Sequence, residues 1–137
     1  MQEENVSVRE RIAAAFETLR SIGWFTAQDY MCCMTCGFAD ADEFERERVK
    51  RGQFPLFGIA FYHGQDAESL TSGGALKRGR VLGIAFDGRK GSRAGVARRR
   101  ADAGHILMTV LLSEGLDVVW SGNPFDRVRV TGTLTGD

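Results

Sequence analysis

Val8, Ile12, Phe16 and Leu19 recur at three- and four-residue intervals in an otherwise polar segment, which predicts an amphipathic helix running to Ile22. Ser7 and Glu10 have the spacing of a capping box at its start, and Gly23 is a stop at its end. A second helix is predicted from Asp40 to Arg51. Asp40 is its cap, Asp42 and Glu43 suit its first turn, and Lys50 and Arg51 suit its last. Only Phe44 and Val49 offer it an apolar contact, so it reads as a solvated helix ending at Gly52.

The pattern then changes period. "FPLFGIAFYHG" is rich in β-formers and predicts a buried strand over Leu56–Tyr62, and "GRVLGIAFDG" predicts a second. "QDAESLT" between them suits a short helical turn. Beyond an arginine- and lysine-rich loop, Ala103, Ile106, Leu107, Val110 and Leu111 mark an amphipathic helix ending at Gly115. "LDVVWSG" and "DRVRVTG" flank the turn "GNPF" and predict a hairpin. These elements predict an α+β fold over residues 1–137 as one domain. Its sheet would be mainly antiparallel or mixed, of about four strands, with N-terminal helices and one central amphipathic helix. No local structure is assigned between Gly23 and Asp40.

That unassigned stretch holds all the cysteines, Cys32, Cys33 and Cys36. Cys33 and Cys36 form a C-x-x-C followed by Gly37, a spacing that lets two thiolates reach one zinc ion. Cys32 and His63 would complete a Cys3His set, but adjacent cysteines rarely serve one ion, and no second C-x-x-C is present. A redox site of this type needs a strand before and a helix after, and no βαβ pattern is legible here. A Cys–His nucleophile pair is a further alternative. The leading reading is that the thiols are small buried side chains, with no metal or cofactor.

"FYHGQD" places His63, Gln65 and Asp66 just past a strand end. Histidine beside a carboxylate suits acid–base work, making Cys33, Cys36, His63 and Asp66 the catalytic candidates; the simpler reading has Asp66 capping the next turn. His105 reads as a packed residue near a helix start, and Trp120 and Phe125 as core or interface anchors in the hairpin.

Net charge is zero but unevenly spread: residues 1–68 carry 12 acidic and 7 basic side chains, residues 69–137 carry 6 and 11. A dipolar surface of this kind orients a charged partner. Arg98, Arg99 and Arg100 lie within a basic segment, 77–100, whose charges are not interleaved with aromatic residues, so nucleic-acid binding is a secondary expectation. No apolar run reaches the roughly 18 residues needed to span a bilayer. The polar N-terminus and an odd number of clustered thiols point to the cytoplasm.

The order Cys-Cys-x-x-Cys-Gly, Phe/Tyr-His-x-Gln-Asp, Gly-His in a helix, Gly-Leu-x-Val-x-Trp-x-Gly-x-Pro and Arg-Val-x-Val resembles a family of bacterial proteins known only as a domain of unknown function. The matching positions run from Cys32, Cys33, Cys36 and Gly37 through His63, Gln65, Asp66, Gly104 and His105 to Gly115, Trp120, Pro124, Arg127 and Val130. The resemblance implies a small cytosolic αβ domain with a shared site built from the cysteines and "HGQD". It implies no activity, and the arginine-rich segment is longer and more basic than the family pattern. No phosphate loop, complete metal motif or standard triad is present. The expectation is a small protein-binding domain, of the immunity or another inhibitor type, whose contact surface includes Asp42, Glu43 and Glu47 or else Arg98–Arg100 and Trp120. The alternatives are an enzyme with a Cys/His site and a nucleic-acid binder.

Overall fold

The computed structural model describes residues 6–31, 34–88 and 95–134. Its elements, in chain order, are α1 (Val8–Ser21), β1 (Trp24–Ala27), α2 (Met34–Lys50), β2 (Gly58–Phe61), α3 (Gly64–Ala67), β3 (Leu82–Gly88), α4 (Val96–Ser113), β4 (Leu116–Val119) and β5 (Val128–Thr133). The strands form one mixed sheet in the order β1-β2-β3-β5-β4, with β1 parallel to β2 and every other pair antiparallel. The α+β fold, the capping box of Ser7 and Glu10 and the terminal hairpin are as the sequence predicts.

Alternation along the strands sorts side chains onto two faces. Ala60, Tyr62, Leu82, Ile84, Phe86, Val128 and Val130 point to one face. There they meet Ile12, Phe16 and Leu19 of α1 and Ala103, Leu107 and Leu111 of α4 in the main core. Ile59, Phe61 and Ala85 point to the other face, where Ala41 of α2 and Leu56 pack on them. Rings continue this smaller core: Phe44, Phe25, Tyr30, Phe61 and Phe38 follow one another at centroid separations of 5.1, 5.5, 6.0 and 4.9 Å.

Two sequence expectations are corrected here. The second helix starts at Met34, not Asp40, because its first turns rest on the sheet through Phe38 and through Gly37, where a Cβ would collide with the Phe61 ring. Its inward residues are Phe38, Ala41 and Glu45, whose carboxylate accepts the Leu56 N–H at 2.8 Å; Phe44 and Val49, the contacts expected from sequence, are 45% and 51% exposed. Secondly, β1, α2 and parallel β2 make a βαβ unit around the cysteine stretch, which the sequence pattern did not disclose because β1 is only four residues long.

β3 is shared in an unusual way. Its residues Leu82–Ile84 pair with β5, whereas Ala85–Gly88 pair with β2. Beside the second half of β3, the place of a paired β5 is taken by the loop that precedes β5.

Candidate functional site

His63 follows β2 and is the N-cap of α3. The Asp66 N–H points at His63 Nδ1 and the Asp66 carboxylate accepts from the His63 N–H, both at 3.4 Å, a reciprocal capping box. The capping role foreseen for Asp66 is therefore present, with histidine as its partner. The other ring nitrogen, Nε2, lies 3.3 Å from Asp66 Oδ2. Arg127, immediately before β5, donates from Nη1 to Asp66 Oδ1 at 2.6 Å and brings Nη2 to 3.3 Å from His63 Nε2. The arginine reaches across β3 at Gly83, where a Cβ would lie 3.0 Å from both Arg127 Cδ and Nη1. Gly83 thus keeps a channel open for the side chain.

His63 is 4% exposed. Both ring nitrogens are held inside the loop, so the His63–Asp66–Arg127 cluster fixes the loop, and to exchange a proton with a ligand His63 would have to give up one of these contacts. Sequence reasoning missed Gly83 and did not choose Arg127 as a site residue. The signals were present: a glycine inside the β-forming run "VLGIAF", and Arg127 and Arg129 alternating with Val128 and Val130.

The cysteine stretch adjoins this cluster. Tyr30 N–H donates to Tyr62 O at 2.9 Å and Gly64 N–H to Met31 O at 3.0 Å, placing Met31 against the residue that follows His63. Asp29 and Met31 both have left-handed backbones, φ 51° and 64°, a conformation that strains non-glycine residues. Cys32 and Cys33 lie outside the described residues. Cys36 is a half-buried thiol in the first turn of α2. Among the described residues no group of three or more His, Cys, Asp or Glu side chains is arranged to hold a metal ion.

The other sequence candidates separate. Arg98 is exposed and lies 3.7 Å from Asp102. Arg100 turns inward, with Nη1 3.1 Å from Asp87 and Nε donating to Pro124 O at 2.8 Å. The three arginines therefore do not form one solvated patch. Lys77, Arg78 and Arg80 line a separate, wide depression of about 810 Å³ with Val6, Ser7 and Thr131. Trp120 packs on Gly104, where a Cβ would lie 2.6 Å from the indole, and meets Phe86 and His105 edge-on at 5.8 and 5.0 Å. It is an anchor between α4 and the hairpin. On α2, Asp42 is half-buried, Glu43 pairs with Arg46, and Glu47 lies 3.8 Å from Lys50.

A mixed five-stranded sheet with a βαβ unit at one end and a buried His–Asp–Arg cluster at the close of that unit defines a small α+β domain. The chain belongs to the family described as Domain of unknown function (DUF6891), whose model matches residues 3–134. No curated protein and no solved structure matches it. No helix among the described residues is long and apolar enough to cross a membrane.

Proposed function

We propose that the chain is a protein-binding domain that uses the outer face of α2 and the loop after it. The observation that carries this reading is the set of apolar side chains left in solvent there. Phe44, Val49, Phe54 and Phe57 are 45, 51, 79 and 52% exposed. The loop is tied to the helix by Arg48 Nε donating to Phe54 O and by the Leu56 N–H on Glu45, so the rings stand on a fixed support. A groove of about 530 Å³ beside Phe44 is lined by Asp40, Glu43 and Glu47 as well as Arg48 and Arg51. Apolar anchors ringed by charge are the usual anatomy of a protein contact. The acidic side of the groove suits a partner with basic side chains around an apolar insert, as an inhibitor or immunity-type protein would meet its target.

The test is made on the complex recovered from the source cells. Phe54→Ser should weaken it at least about tenfold, the loss of one buried anchor. Glu43→Lys with Glu47→Lys should slow association at low salt. Unchanged affinity in Phe54→Ser, or the absence of any protein partner for the wild-type chain, would refute the reading.

A second reading, thiol chemistry, is favoured by one observation: Cys36 lies in the first turn of a helix that follows a strand and leads to a parallel one. Helix N-termini lower thiol pKa values and make thiolates reactive. On this reading a thiol of the 32–36 stretch alkylates faster than glutathione at pH 7 in the folded protein. Modification that waits for unfolding argues against it.

A further inference from the structure

The division of β3 leaves an opening in the sheet. Ala85 and Phe86 point to opposite faces, yet both line one cleft of about 320 Å³, together with Phe38, Arg100, Phe125, Asp126, Arg127 and Arg129. It therefore enters the plane of the sheet where β5 is not paired to β3. Its walls combine three phenyl rings with three guanidinium groups. Arg100 lies 5.5 Å from the Phe86 centroid and 5.1 Å from that of Phe125.

We propose that this cleft binds a small aromatic carboxylate. Each arginine is steadied by a separate aspartate: Arg100 by Asp87, Arg127 by Asp66, Arg129 by Asp126. Of those aspartates only Asp126 lines the cleft, so the lining itself carries an excess of positive charge. Guanidinium groups held in place lose little freedom on gripping a carboxylate, and their planar forks match it. Phe38 and the exposed Phe125 offer ring surface to a flat ligand, above a floor formed by the buried Phe86. The volume is at the lower end of the range for small-molecule sites, which suits a ligand of one ring.

Trp120 is a built-in reporter, because its indole N–H donates to Asn123 O and Asp126 O at 3.1 and 3.2 Å within the loop that walls the cleft. Benzoate titrated into the folded protein should shift the Trp120 indole N–H resonance saturably and leave that of Trp24 unmoved. Acetate and inorganic phosphate at the same ionic strength should bind at least about tenfold more weakly, since neither offers a ring. Phe125→Ala and Arg129→Gln both alter exposed side chains and should each weaken benzoate at least about tenfold, while Arg98→Gln leaves it unchanged. No saturable shift, equal binding of acetate or phosphate, or full affinity in both Phe125→Ala and Arg129→Gln would each overturn the proposal. Melting curves of the two variants confirm that a loss of binding is not a loss of fold.

Discussion

Tyr62 closes a ring of three hydrogen-bonding residues: its hydroxyl donates to Gln28 Oε1 at 2.7 Å and accepts from Arg9 Nη1 at 3.1 Å, while Gln28 Nε2 donates to Arg9 O at 3.3 Å. Burial pushes the phenol up to about 12, against the opposing pull of Arg9. The unfolded chain releases that proton near pH 10. Between the two values the unfolded state ionises and the folded one does not, so rising pH favours unfolding. Stability from the neutral phenol is present in full below pH about 10 and declines as pH climbs through 12, by about 3 kcal/mol in all. Urea midpoints at pH 9 and pH 11.5 should fall further in the wild type than in Tyr62→Phe; equal declines would refute the assignment. Arg127→Ala should cost about 2 kcal/mol, because it strips a charged partner from Asp66, a carboxylate only 14% exposed. Arg127→Lys should recover only part of that, since one ammonium cannot replace both guanidinium contacts. Chemical denaturation at pH 7 measures both variants. The sequence offered His63 and Asp66 as candidate site residues and Arg127 only as a position of the resemblance, because Arg127 is 61 residues away from Asp66 and only the sheet brings it across.

Among the elements, α4 and the hairpin show how a small residue sets a packing distance. Gly104 lets the helix approach the Trp120 ring, and Phe86 lies 3.0 Å from the site a Cβ would take. Gly104→Ala should gain a little helix propensity, yet lose about 1–3 kcal/mol to overpacking against two rings. A lower melting temperature with a perturbed Trp120 fluorescence spectrum is the expected result, and a raised melting temperature would contradict it. The apolar stripe of α4 was legible because Ala103, Leu107 and Leu111 obey helical spacing, whereas its first turns, Val96 to Arg100, carry too little apolar signal to be assigned. α2 misled for the opposite reason. Of its visible apolar residues, Val49 is exposed and Phe44 meets the Phe25 ring while staying half in solvent, and its contacts with the sheet include a glycine and an alanine, which leave little hydropathic trace.

For the whole molecule, the expectation that zinc is not a structural part becomes a measurement. A Cys3His site using His63 would have to take its ring from Asp66 and Arg127. Elemental analysis should find less than one zinc per chain, and a chelator should leave the melting temperature unchanged. Stoichiometric zinc and a collapse on chelation would show instead that the metal supplies the roughly 10 kcal/mol typical of structural sites. The fold class was legible because periodicity reports elements. The contact of Tyr30 and Met31 with Tyr62 and Gly64 was not legible, because it depends on a parallel β1–β2 pairing for which a four-residue strand gives no signal.

The split pairing of β3 also bears on how the molecule comes apart. One strand is the seam between two sub-assemblies, β1–α2–β2 on one side and β4–β5 on the other, with α1 bracing the main-core face by touching β1, β4 and α4. Slippage at Ile84–Ala85 would release either side without first disrupting the other. Native-state amide exchange should then resolve two cooperative units with different opening free energies, and the slowest amides should gather where the seam and the brace coincide.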